Sequence, residues 1–233
     1  MVKYIQFRKV LLKNTIERIL DMYEFVPKSE LKPVKAKIDS IIRKLQQLIK
    51  QDGVTFESVI VGSAKKHLVT RIVDGNKGFD FDYNFSLKKC PDDLSPKDIK
   101  TLFINKLNIV LKDSRYKNAE NNTQAMTIKV IDSKNSKVFH SCDFAIVNDY
   151  EEEGEFFQEI LIFNKLNGTY FWNKRPFGKN YSSKLSNLLS NGLWFELKEE
   201  YLHLKNTNND SEKKSYQLYL EAINNVYNHY DWN

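Results

Sequence analysis

Cysteine is scarce in this 233-residue chain: Cys90 and Cys142 are the only two, and they form no CxxC pair. That excludes a disulfide framework and offers no zinc-ligand spacing, so a reducing compartment, the cytoplasm, is expected. Long apolar runs are missing as well. Arg8, Lys9 and Lys13 break up the start, and no later stretch approaches the roughly 20 apolar residues of a membrane span. A soluble, unprocessed chain without a membrane partner is expected. Internal repeats and low-complexity tracts are absent too. What the chain has is 41% hydrophobic and 13% aromatic content, enough to bury one core, or one core with a helical annex.

The formal net charge of +6 is unevenly placed. Residues 1–50 hold twelve Lys/Arg against five Asp/Glu, so the remainder is close to neutral. Such a balance favours polyanionic partners, but it specifies no chemistry.

Apolar residues at helical spacing predict a helix from about Tyr4 to Tyr23 (Leu12, Ile16, Ile19, Leu20). A second is predicted after Pro33 (Val34, Ile38, Ile41, Ile42, Leu45, Leu48, Ile49), stopped by Asp52-Gly53. Val54 to Val61 then turns β-branched and aromatic and reads as a strand ending in the tight turn Gly62-Ser63. From Gly78 to Leu87 the chain alternates strictly. Phe79, Phe81, Tyr83, Phe85 and Leu87 face one way, and Asp80, Asp82, Asn84 and Ser86 the other. Ser95-Pro96 with Asp98 marks a helix start, and that helix reaches about Leu111. Met126 to Ile131 and Lys137 to Val147 read as a hairpin around Ser133 to Ser136, and Gln158 to Phe163 as a further strand. Helical spacing returns from Ser183 to Leu204 and from Glu212 to Tyr230, with a polar gap at Asn206 to Asp210. The expected class is α+β: a mixed sheet with N-terminal helices over residues 1–165, and a C-terminal helical segment over 166–233 packed on that core.

The polar face of the alternating strand carries the chemistry. Asp80 and Asp82, two apart on a strand, leave the same face about 6 to 7 Å apart. Nucleotidyl transfer needs two hard cations about 3.5 to 4 Å apart, and carboxylate oxygens are the ligands Mg²⁺ prefers. Glycosyltransferases and nucleases use the same Asp-x-Asp. Asp143 is a third candidate, since Phe139, Ser141, Ala145 and Val147 share its strand face and no cation neighbours it there. A lone charge in such a strand is costly unless something compensates it. Upstream, Gly62-Ser63 precedes Lys65, Lys66 and His67. Glycine permits close backbone approach, serine and backbone N–H groups can bind phosphate oxygens, and lysines neutralise charge.

With these residues in that order, the chain resembles the polymerase-β-like nucleotidyltransferase superfamily. The matching stretches are Val61-Gly62-Ser63, Phe79-Asp80-Phe81-Asp82-Tyr83 and Cys142-Asp143-Phe144-Ala145-Ile146-Val147, within about Val54 to Val147. The resemblance implies that Ser63 contacts a triphosphate. It implies that Asp80 and Asp82 hold two Mg²⁺ (or Mn²⁺) ions, and that Asp143 completes the site and helps activate the acceptor hydroxyl. Two features depart from the pattern. Val69 to Lys77, with the turn Asp74-Gly75-Asn76, lengthens the stretch between Ser63 and Asp80, and the Gly-Thr that often follows Gly-Ser is represented only by Thr70. The tail also resembles the branch that makes oligoadenylates or cyclic dinucleotides, through Trp172-Asn173, Pro176 and the helix near Ser183. By that likeness Lys179, Lys184 or Lys198 would reach the triphosphate, and Tyr181 would stack on a base.

Other residues read as structural. His140 and Cys142 share a face with Phe144 and Ile146, which places them in or near the core. The acidic run from Asp149 to Glu155 reads as a solvated loop, and the late aromatics as packing. The implied activity moves an NMP from an NTP to an acceptor hydroxyl, on a nucleotide, an RNA or a small molecule, with release of pyrophosphate. The alternative is a protein that keeps the fold and binds RNA or nucleotide without turnover.

Overall fold

The computed structural model describes residues 22–175, 181–210 and 212–232. The first predicted helix lies outside these residues apart from its last two positions, Met22 and Tyr23, and Tyr23 opens a strand. The described chain is α+β and divides into two units.

The sheet unit comprises Val26–Val69 and Asn76–Phe177. Its strands are β2 (Thr55–Val61), β4 (Phe79–Lys89), β5 (Glu120–Asn121), β6 (Met126–Asp132), β7 (Lys137–Glu152), β8 (Glu155–Asn164) and β9 (Thr169–Lys174). They form one mixed sheet in the order β2-β4-β7-β6-β5, with β8 added to the far end of β7 and β9 added to β8. Only the β4–β7 pairing is parallel. β7 reaches Glu152 rather than stopping at Val147, so the acidic run is not a loop. Asp149, Glu151 and Glu152 pair with β8, and only Glu153-Gly154, both at positive φ, make the turn. Tyr150 stacking on Phe157 at 5.6 Å steadies that extension. β9, which periodicity does not single out, completes the sheet.

Helices α1 (Lys28–Lys50) and α3 (Pro96–Leu111) cover the apolar face of β4 and β7. α1 begins five residues before Pro33, after Pro27, whose carbonyl accepts from the Glu30 and Leu31 N–H groups. Pro33 therefore sits inside the helix, where it forgoes one backbone bond. The apolar stripe Ile38, Ile41, Ile42, Leu45, Ile49 supplies the compensating burial. α3 starts as its sequence predicts. The Ser95 hydroxyl accepts from the Asp98 N–H, the Asp98 carboxylate accepts from the Ser95 N–H, and Pro96 fills the first turn. Between helices and sheet, Phe85 stacks on Phe144 (4.8 Å) and Phe103 closes on Phe56 (5.1 Å). Each buried ring contributes up to about 3 kcal/mol, so this aromatic cluster fixes the register of β4 against β7.

The second unit groups the described residues of Met1–Phe25, Thr70–Gly75 and Gly178–Asn233. The stretch inserted between Ser63 and Asp80 holds β3 (Thr70–Ile72), which pairs antiparallel with β1 (Tyr23–Phe25). Asn206 brackets Tyr23, accepting from its N–H at 2.6 Å and donating to its carbonyl at 3.2 Å. The helices are α4 (Ser182–Ser190), α5 (Trp194–Thr207) and α6 (Ser215–His229). The periodic run from Ser183 to Leu204 is thus two helices, broken at Asn191-Gly192 where Gly192 takes φ +75°. Among the described residues, no helix is long and apolar enough to cross a membrane.

Candidate active site

The parallel pairing of β4 and β7 sets Asp82 directly beside Asp143 and Asp80 beside Ser141. Adjacent strands lie about 4.8 Å apart, so three carboxylates predicted from three sequence positions share one small area of one face. The opposite face of the same strands is the aromatic core, which anchors their backbones.

Hydroxyl groups hold two of the acids. Ser141 Oγ donates to Asp80 Oδ1, and Thr127 Oγ1, from the facing position of β6, donates to Asp143 Oδ1. Asp82 lies deepest in charge terms. Burial first, then the neighbouring Asp143 and Asp80, push its pKa from 3.8 up to about 6, and Lys66 only partly opposes them. Burial and the adjacent Lys65 in turn hold the Lys66 ammonium below its ordinary pKa.

Gly62-Ser63 does not form a simple turn but opens a single-turn helix, α2 (Gly62–Lys65). Gly62 adopts φ +63°, and a Cβ there would lie 2.9 Å from the Asp82 carboxyl carbon. The glycine is therefore required twice, by its left-handed backbone and by the carboxylate pressed against it. Lys66 Nζ donates back to the Gly62 carbonyl at 3.2 Å. Gly62, Ser63, Lys66, Asp80, Asp82 and Asp143 are thus brought together in one unit.

The polar face is not open along its whole length. Beyond Asp82, Asn84 and Ser86 are buried, Ser86 donates to Asp149, and Ala145, Val147, Ile160 and Ile162 form a small apolar cluster beside them. The site therefore has an apolar wall at one end. His140 and Cys142 pack as expected, His140 stacked on Phe79 at 5.7 Å and Cys142 wholly buried.

Tyr181 and Lys184 belong to the helical unit. There Tyr181 meets Tyr216 and Tyr219 edge-on, and Lys184 donates to Asn224 at 2.7 Å while lying over the Tyr227 ring. Lys198 lies over Phe25 at 4.4 Å, and Lys179 falls outside the described residues. Thr70 accepts from Lys205 in the same unit. A cavity of about 640 Å³ lined by residues of α5 and α6 and their flanks contains none of the predicted residues.

Periodicity puts Ser141 on the Asp143 face without giving it a role, and it gives no warning of Thr127 or of Asn122, which donates to Thr127 at 2.8 Å. The strand-face pattern could have found Ser141, but a cross-strand partner such as Thr127 needs the register. Among the described residues, no three carboxylate, imidazole or thiol groups already converge as a closed metal cage.

No protein-family model matches the chain, and no curated protein matches it. Solved structures do. A Bradyrhizobium diazoefficiens CD-NTase, CdnG, in complex with GTP aligns with TM-score 0.55 at 13% identity, covering 89% of this chain and 68% of its own. The Rhodothermus marinus CdnE c-UMP-AMP synthase with Apcpp and Upnpp gives 0.51 at 14%, covering 88% and 84%. Vibrio cholerae DncV in its 3'-deoxy GTP bound form gives 0.53 at 12%, covering 77% of this chain and 46% of its own, so the chain spans about half the length of DncV. At these identities the likeness carries architecture alone: the chain shares the fold of these three proteins.

Proposed function

We propose that the chain is a metal-dependent nucleotidyltransferase. The observation that carries this reading is the register pairing of Asp82 with Asp143, next to Asp80, in a cluster that strains its own charge. Three carboxylates crowded so that one is pushed towards protonation are poorly compensated by the protein itself. Hard divalent cations are the compensation their oxygens fit best. Asp80, Asp82 and Asp143 would hold them. Bound Mg²⁺ or Mn²⁺ supplies charge neutralisation for a triphosphate and acidifies the attacking hydroxyl.

The chain's own groups do the rest. The Gly62 backbone lies against Asp82, the neighbouring Ser63 hydroxyl and N–H would bind phosphate oxygens, and Lys66 adds positive charge close to Asp82. For Tyr181 and Lys184 the roles on base and triphosphate rest on the sequence resemblance alone. The acceptor oxygen attacks the α-phosphorus, the bond to the β-phosphate bridge breaks, pyrophosphate leaves, and the acceptor proton passes to Asp143 or to solvent. A ribose hydroxyl of a second nucleotide is the acceptor we favour, because the Vibrio cholerae DncV cyclic AMP-GMP synthase is seen with the linear intermediate 5' pppA(3',5')pG. A purely binding protein would have no cause to keep a self-repelling acid cluster. Incubation with α-labelled NTPs and Mg²⁺ or Mn²⁺ should release pyrophosphate, and Asp80→Asn or Asp82→Asn should abolish it. Equal release by those variants would refute the assignment.

A further inference from the structure

A line of hydrogen bonds runs behind Asp143. Lys165 Nζ donates to Asn122 Oδ1 (2.9 Å), Asn122 Nδ2 donates to Thr127 Oγ1 (2.8 Å), and Thr127 Oγ1 donates to Asp143 Oδ1. Its direction is forced by the inventory of donors. An ammonium can only donate, so the amide oxygen of Asn122 must face Lys165 and its nitrogen must face Thr127. Thr127 has a single hydroxyl proton, and with an N–H arriving on its oxygen that proton goes to the carboxylate.

Asn122 is also fixed through its backbone. Lys100 Nζ, on a side chain only 2% exposed, donates to the Asn122 carbonyl at 2.8 Å, and the Asn122 N–H donates to Ala125 at 2.9 Å. Burying a lysine is costly, and two lysines brought to one asparagine repel each other. Surface packing alone would not select that arrangement. Thr127, 6% exposed, has little freedom of its own. Because β7 lies between β6 and β4, a carboxylate with Oδ1 turned to Thr127 presents Oδ2 to the β4 side, where Asp82 stands.

We propose that Asn122, gripped by Lys100 and Lys165, is a positioning residue that acts through Thr127 to aim Oδ2 of Asp143 at a cation shared with Asp82. This rests on the metal-dependent reading above.

The test is Mn²⁺ titration of the full chain, followed by the electron paramagnetic resonance of free Mn²⁺. Thr127→Val should weaken binding by about tenfold or more, as losses behind a ligand commonly do, while Thr127→Ser keeps near wild-type affinity. Asn122→Leu should weaken it in the same direction, and Lys165→Met less so. Wild-type affinity in Thr127→Val would overturn the proposal, as would an equal loss in Thr127→Ser, which would trace the effect to the methyl group. Should the wild type neither bind Mn²⁺ nor turn over NTP, the functional reading fails. The relay is then judged by melting temperatures in an Asn122→Leu and Asp143→Asn cycle. Non-additive shifts support it, and additive shifts refute it.

Discussion

The two faces of the β4–β7 pair are built from alternate residues of the same strands and obey opposite rules. On one face Phe85, Phe144, Phe56 and Phe103 fill space without strain, and every contact favours the fold. On the other, Asp80, Asp82 and Asp143 are held together against their mutual repulsion. The first face stabilises the backbone that the second face loads. A site assembled this way predicts that damage to one face costs stability, whereas neutralising the other costs function and gains stability.

The largest effect should come from the apolar face. Phe144→Ala should lower unfolding free energy by about 3 to 5 kcal/mol in denaturant titration, with m little changed. A loss under about 1 kcal/mol would break the comparison. Next is Gly62→Ala, where the left-handed backbone and the overlap with Asp82 act together. It should cost roughly 2 to 3 kcal/mol and also remove NTP turnover, since Asp82 must move. Asp82 itself gives a smaller effect of opposite sign. Its folded pKa of about 6 exceeds the ordinary carboxylate value of 3.8, so the folded state keeps a proton that the unfolded state releases between those values. Its contribution to stability therefore falls as pH rises from about 4 to 6, and the cost is fully present above that window. Asp82→Asn should then be more stable than wild type by about 2 kcal/mol at pH 7.5 and equal to it near pH 3.5, measured by thermal melting. Added Mg²⁺ should raise the melting temperature of the wild type and not of the variant. The smallest effect is a control for the glycine argument. Gly53→Ala, at φ +78° with only Pro91 Cγ at 3.5 Å, should cost about 1 kcal/mol and leave turnover intact.

Both faces of β4 were legible in the sequence, because strict alternation over Gly78 to Leu87 has one reading. So was the hairpin into β7, whose turn Asp132 closes by accepting from the Lys134 N–H. The parallel register of Asp82 with Asp143 was not legible, since pairing between strands some sixty residues apart is decided by core packing and leaves no local periodicity. For the same reason Thr127 and Asn122 escaped notice. The start of α1 differs because Pro33 looks like a first-turn residue, while the helix starts five residues earlier, after Pro27 at the N-cap. The Asp149 to Glu155 run was misread because its charge concealed the pairing of β7 with β8. β3 was hidden in an insertion too short to show a pattern of its own.

The central claim is that the crowded carboxylates exist to carry cations for nucleotidyl transfer. Pyrophosphate release from α-labelled NTPs in Mg²⁺ or Mn²⁺, compared between wild type and Asp82→Asn, tests it most directly. Release by the wild type and a loss of at least about a hundredfold in a stably folded variant is the predicted result. Undiminished release by Asp82→Asn would contradict it.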